Sequence, residues 1–169
     1  MKKVLFILVV VVAFSFTTVQ SQNLGHHRDM KAGISASLPI GDFSEVYSFG
    51  LQADFVYLFQ LDESFKVGPM ASLFYYKGKS IGNSEFSMSV SDAVFLPIGG
   101  HARYMFDDFF VGADLGYAIG ISPSGMNGGA LIRPKVGYNF GNMAAVASYS
   151  AITRSGTIGS INLGVEFSF

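Results

Sequence analysis

The chain has no cysteine. That excludes a disulfide scaffold and thiol chemistry, and it leaves no residue for a lipid on a new N-terminal cysteine. Charge is scarce as well. Asp, Glu, Lys and Arg make up 14% of the residues, against ~25% in an average soluble domain. No basic tract is present, so nothing points to nucleic acid. Beyond the first 21 residues no segment is apolar for the ~20 residues that a spanning helix needs. Yet the chain is 50% hydrophobic and 15% aromatic, with 20 glycines. Strands that show lipid one face only would reconcile these facts.

The first residues behave differently from the rest. Met1-Lys2-Lys3 precede an apolar run from Val4 to Phe16, then Thr17-Thr18-Val19-Gln20-Ser21-Gln22. A basic start, a short apolar stretch and small residues before a cut predict a secretory signal over 1–21. A short tail, 22–29, then leads to a single domain over 30–169. Without Lys2 and Lys3, nine of the 11 Lys and Arg remain against 12 acids, a formal charge of −3.

From residue 30 onward the pattern has a period of two. Ser160 to Phe169 shows it plainly: apolar side chains fill the odd positions and Ser, Asn, Gly and Glu fill the even ones. Alternate side chains of a strand point to opposite faces, so this strand has one greasy face and one small polar face. Eight such segments are predicted, at 30–38, 49–61, 65–77, 93–106, 109–121, 129–140, 143–153 and 160–169. Three connections are short: Asp62-Glu63-Ser64, Asp107-Asp108 and Gly141-Asn142. Such residues tolerate the positive φ of tight hairpins. The other four connections, 39–48, 78–92, 122–128 and 154–159, are long. Short turns at one end and long loops at the other are the pattern of an outer-membrane barrel.

Two-residue turns fix register, so the faces can be tested. An Asp107-Asp108 turn sets Phe106 opposite Phe109, Tyr104 opposite Val111 and Ala102 opposite Ala113. His101 then meets Asp114 on the other face. A Gly141-Asn142 turn sets Phe140, Tyr138, Val136, Pro134 and Ile132 opposite Met143, Ala145, Ala147, Tyr149 and Ala151. Within strands the charges Lys31, Asp54, Lys66, Arg103, Asp114, Arg133, Lys135 and Glu166 all take the non-greasy face. Lys77, at a rim, is the exception. A soluble barrel would turn the greasy face inward and leave Gly, Ser, Ala and few charges outside, a poor soluble surface. The aromatics Phe59, Phe65, Phe106, Phe109, Phe140, Phe167 and Phe169 collect at the short-turn ends, where an interfacial girdle belongs. The expected fold is therefore an all-β, eight-stranded antiparallel up-and-down transmembrane β-barrel.

At this point the chain resembles the small outer-membrane β-barrel family of the OmpA/OmpX type. The likeness covers 30–169. Phe169, with Phe167 two residues before it, looks like the signal read by the barrel-assembly machinery. The stretch Leu38-Pro39-Ile40-Gly41-Asp42-Phe43, followed by Tyr47-Ser48-Phe49-Gly50, is similar to the first loop of "outer membrane protein β-barrel domain" sequences. The resemblance implies a fold, an outer-membrane location, lipid and assembly-machinery partners, and no particular activity.

Little in the chain suggests chemistry. A carboxylate orienting an imidazole, as Asp114 would His101, is half of a hydrolase triad. The register brings no serine beside that histidine, so a salt-bridged lumen filling is the plainer reading. His26-His27-Arg28-Asp29 could be read as a metal site, but adjacent histidines in a tail are usually solvated. Ser122 to Gly129 is Gly-rich but lacks the lysine and following helix of a phosphate loop. No catalytic, cofactor or metal residue is assigned. The expected polar lumen comprises Lys31, Asp54, Lys66, His101, Arg103, Asp114, Arg133, Lys135 and Glu166. An eight-stranded barrel is just wide enough for side chains to fill, so these charges should pair and close it. The expected role is a structural or interaction protein acting through its loops. A narrow porin-like channel, leaning to anions because cations outnumber acids, and a barrel-embedded lipid or peptide hydrolase are the alternatives. Residues 77–92 are expected to form a β-ribbon with a turn at Gly82-Asn83, offering an edge to an extracellular protein partner.

Overall fold

A computed structural model describes residues 28–83, 86–154 and 156–169. The predicted signal and the histidines of the tail lie outside those residues. The chain forms β1 (Arg28–Ile40), a one-turn helix α1 (Phe43–Val46), β2 (Tyr47–Gln60) and β3 (Phe65–Gly78). Two short strands follow, β4 (Ser80–Asn83) and β5 (Phe86–Ser89). Then come β6 (Ala93–Phe106), β7 (Phe109–Ser122), β8 (Gly129–Phe140), β9 (Met143–Thr153) and β10 (Thr157–Ser168). Eight of these close in the order β1-β10-β9-β8-β7-β6-β3-β2, and every neighbour is antiparallel. Closure pairs β1 with β10, so no barrel edge is left open.

The two-residue turns set the register expected from sequence. Phe106 pairs with Phe109 and His101 with Asp114. Phe140 pairs with Met143 and Ile132 with Ala151. Asp107 and Gly141, the first residue of each turn, have positive φ of 53° and 68°. At the third short connection the Asp62 side chain accepts hydrogen bonds from the backbone N–H of Ser64 and Phe65.

The greasy face points outward. Ile34, Leu51, Phe55, Leu115, Ile132 and Leu163 are among the large apolar side chains exposed on it. Near the short turns, Tyr57 packs on Phe59, Tyr104 on Phe106 and Tyr138 on Phe140, with ring centroids 4.7–4.9 Å apart. Soluble monomers rarely expose so many large apolar side chains on one face, and such a face marks contact with a membrane or another protein. Among the described residues no helix is long and apolar enough to cross a membrane.

Three features differ from expectation. First, β1 begins at Arg28, so Arg28 and Asp29 belong to the barrel and not to a tail. Second, the ribbon forms, but its turn is not at Gly82-Asn83. Ile81 pairs with Met88 and Asn83 with Phe86, so Gly82 and Asn83 lie within the paired strands, and the connection at 84–85 lies outside the described residues. Tyr75 faces Val94, where a Gly82-Asn83 turn would have set it opposite Val90. The ribbon simply continues the register that β3 and β6 hold from Phe65 and Tyr104 upward. A turn at 82–83 would require the hairpin to slip against its own barrel strands. Third, the long loop 39–48 contains α1, which a period-two reading could not show.

Candidate functional site: the filled lumen and its cap

The inward positions divide into layers, beginning at the short-turn end. There Asp29 bridges Lys66 and Lys31, with N···O distances of 2.9 and 3.3 Å. Lys31 also donates to Ser168 at 2.6 Å and lies 3.9 Å from Glu166. Arg103 grips both oxygens of Glu166, at 2.7 and 2.8 Å, and its guanidinium carbon sits 3.8 Å from the centre of the Phe110 ring. Such a two-pronged pair is among the strongest charge-assisted arrangements.

The middle layer centres on Asp114, whose side chain is fully buried. It accepts from Arg133 at 2.6 Å, from Lys135 at 3.0 Å and from His101. The other ring nitrogen of His101, Nε2, accepts from Arg103 Nε at 3.2 Å. With Nε2 accepting, the proton sits on Nδ1 and points at Asp114. Arg133 reaches across the lumen to Asp54 at 2.8 Å and to Gln52 and Ser72 at 3.1 Å each. These residues come from β2, β3, β6, β7 and β8, so the layer exists only in the closed barrel.

Above it lies a neutral polar layer. Gln52 donates to Asn162 at 2.9 Å, and Asn162 donates to Ser150 at 2.9 Å and Ser148 at 3.1 Å. Tyr76 and Ser160 share a hydrogen bond of 2.9 Å. The hydroxyl of Ser37 is buried without a protein partner among the described residues.

At the long-loop end buried apolar side chains gather into a cap. Phe43 of α1 turns inward against Tyr47 and Tyr76, with centroids 4.4 and 4.9 Å away. Phe74, Phe95, Leu131 and Ile152 complete it from the strands. Lys79 holds α1 in place, its N–H donating to the Val46 carbonyl at 2.8 Å and its ammonium to the Ser44 carbonyl at 2.6 Å. The base of the ribbon is pinned by Asp92, which accepts from Tyr75 at 2.7 Å, the Gly78 N–H at 3.0 Å and Lys77 at 3.2 Å. Those donors hold the Asp92 carboxyl below the usual carboxylate range, the Tyr75 hydroxyl contributing most.

Of the nine residues expected in the lumen, eight have side chains no more than 11% exposed and Lys66 is 20% exposed, and each contacts at least one other charged or polar side chain. Two things were missed. Asp29 adds a fourth acid, so five cations face four carboxylates. The lumen is also less polar than expected, because Val56, Leu58, Met70, Phe74, Phe95 and Phe110 point inward. Their even and odd positions were readable from the register of the hairpins, but not their height. Lys77, the outward exception, has its partner in Asp92. Phe167 and Phe169 both face outward at the short-turn rim, Phe169 with 75% of its surface exposed. Among the described residues no group of three His, Asp or Glu side chains could hold a metal ion.

An apolar exterior around an ionic interior defines an eight-stranded barrel of the outer-membrane type. Comparison of the fold with solved structures agrees. The outer-membrane protein Ail of Yersinia pestis in a lipid nanodisc superposes with a TM-score of 0.57 at 13% identity, over 85% of this chain and 100% of that one. The N-terminal barrel of OprF from Pseudomonas aeruginosa gives 0.53 at 15%, over 85% and 99%. Neisserial surface protein A gives 0.51 at 16%, over 86% and 100%. Ail has also been solved with the heparin analogue sucrose octasulfate. At these identities the likeness is one of fold. No protein-family model matches the chain, and no curated protein matches it.

Proposed function

We propose that this protein is a non-conducting barrel of the outer membrane that anchors an interaction surface at its long-loop end. The observation that carries this reading is a buried ionic set inside the barrel with an apolar cluster above it. Arg103, Arg133 and Asp114, all fully buried, cross-link the walls, and Phe43 seals the cap above them. Five cations against four acids leave a single excess charge, which weakens the case for an anion channel. The position that a triad serine would take at His101 Nε2 is filled by Arg103, which supports a non-enzymatic role. Planar-bilayer recording on the refolded protein tests the reading. No unitary conductance is expected, and steady single-channel steps would replace it with the narrow channel.

The partner we infer is an extracellular protein that adds a strand to the ribbon. β4 and β5 pair only with each other among the described residues, so each keeps one unpaired edge. Such edges template strand addition. A sulfated polyanion fits less well. Of the described loop cations, Lys77 is paired with Asp92 and Lys79 is bonded to α1, which leaves Arg154 exposed, while Asp42 and Glu45 lie on and beside the helix. Amide exchange decides whether the ribbon persists in solution: slow, alternating protection over 80–89 is expected, and rapid exchange throughout would remove the docking edge. Outward Phe167 and Phe169 support recognition by the barrel-assembly machinery during biogenesis.

A further inference from the structure

Three loops of the long-loop end rise from neighbouring strands. β10 lies between β1 and β9, and β8 lies beside β9. The β1–β2 loop with α1, the β7–β8 loop and the β9–β10 loop converge there around a cleft of about 370 Å³. That volume is in the range of binding pockets. Val46, Ile152 and Ile158, buried or half-buried, supply its apolar lining, while Asp42, Asn127 and Arg154 are exposed around it. Asp42 stands at the start of α1, yet its carboxylate makes no capping hydrogen bond. The ion pairs among the described residues use neither Asp42 nor Arg154. A carboxylate and a guanidinium beside one apolar surface select among occupants. Asp42 would repel a polyanion, and Arg154 a polycation. A neutral ligand would take water from both charges and pair neither, which costs free energy. A ligand with one charge of each sign around an apolar centre pairs both. Arg154 can hold a carboxylate through two parallel N–H bonds. The cleft also adjoins the ribbon through α1, because Lys79 bonds to Ser44 and Val46. A protein strand on the ribbon therefore has the cleft one helix away.

We propose that this cleft seats an apolar side chain of the extracellular protein partner, with an acidic neighbour of that residue on Arg154 and a basic neighbour on Asp42. The proposal rests on the proposed function, which supplies the partner's class and puts this end outside the cell. The probes are tripeptides with acetylated and amidated ends: Glu-Leu-Lys, Lys-Leu-Glu and the neutral Gln-Leu-Gln. They are titrated into the refolded protein in detergent, and the methyl resonances of Ile152 and Ile158 are followed by NMR. One of the two charged orders should shift both methyls saturably. It should bind about fivefold more tightly than Gln-Leu-Gln, the scale of two exposed ion pairs. Replacing its Leu by Ser should abolish the shifts. Arg154→Glu and Asp42→Lys should each remove the preference over the neutral peptide. The double variant Asp42→Lys, Arg154→Glu should recover it for the opposite order. Both positions are exposed, and heat-modifiable migration checks that each variant folds. Binding of Gln-Leu-Gln as tight as that of both charged peptides, an unaltered order preference in the double variant, or no methyl shift with any peptide would each overturn the proposal. Shifts confined to the amides of 80–89 would refute the cleft and leave strand addition at the ribbon intact. Methyl shifts in a protein whose 80–89 amides exchange rapidly would uphold the cleft and remove the ribbon as the docking edge.

Discussion

Replacing Asp114 with alanine should be among the most damaging single changes in the lumen. Its carboxylate accepts from Arg133, Lys135 and His101 together. Arg133 would retain Asp54, but Lys135 has no other acid within 4.0 Å among the described residues. The variant thus strands a buried ammonium and leaves three carboxylates against five cations. Breaking a buried ionic set by removing one member costs about 3–5 kcal/mol. At a urea slope of ~2 kcal/mol per molar, the unfolding midpoint in detergent should fall by roughly 2 M. The double variant Asp114→Ala, Lys135→Met removes the stranded charge with its partner. It should lose less than the sum of the two single changes, a coupling of about 0.5–3 kcal/mol. A midpoint shift within experimental error for Asp114→Ala would mean that the layer is wet and its charges are screened. The lumen would then be open to water and not closed.

Gly68→Ala should destabilise the β2–β3 pair by about 1–3 kcal/mol, because a methyl there would meet the Tyr57 carbonyl oxygen at 1.7 Å. An unchanged urea midpoint would show that the strands part at no cost. The ribbon should respond to acid. The Asp92 carboxyl is depressed by its donors, so its stabilisation is complete above the unfolded value of ~3.9 and is lost as pH falls through the lower folded value. Amide exchange over 78–91 should therefore be constant from pH 7 to about 5, after correction for intrinsic rates, and accelerate only in stronger acid. Asp92→Asn should exchange fast at every pH; if it matches the parent at pH 7, the Asp92 contacts do not hold the ribbon base. Phe43→Ala should loosen the cap, read as faster exchange in 41–47, without opening a conductance, since the ionic layers below remain.

By itself the sequence determined parity and local register. Strict alternation sorted Leu51, Ala53 and Phe55 from Gln52 and Asp54, and the two-residue turns locked Phe106 to Phe109 and Phe140 to Met143. These are properties of a pleated strand and a tight turn, which neighbouring residues specify. Closure was decided only in three dimensions. Arg103 meets Glu166 from 63 positions away, and Arg133 meets Asp54 and Ser72 across the lumen. Parity says that such side chains face inward, but their height depends on how each strand is staggered around the ring. The same gap explains the misplaced ribbon turn, because a long hairpin takes its register from the barrel strands beneath it and not from the most turn-like dipeptide. It also explains Asp29, which joins β1 by pairing with Leu58 of β2, and Phe43, whose inward turn requires the cavity that the finished barrel provides.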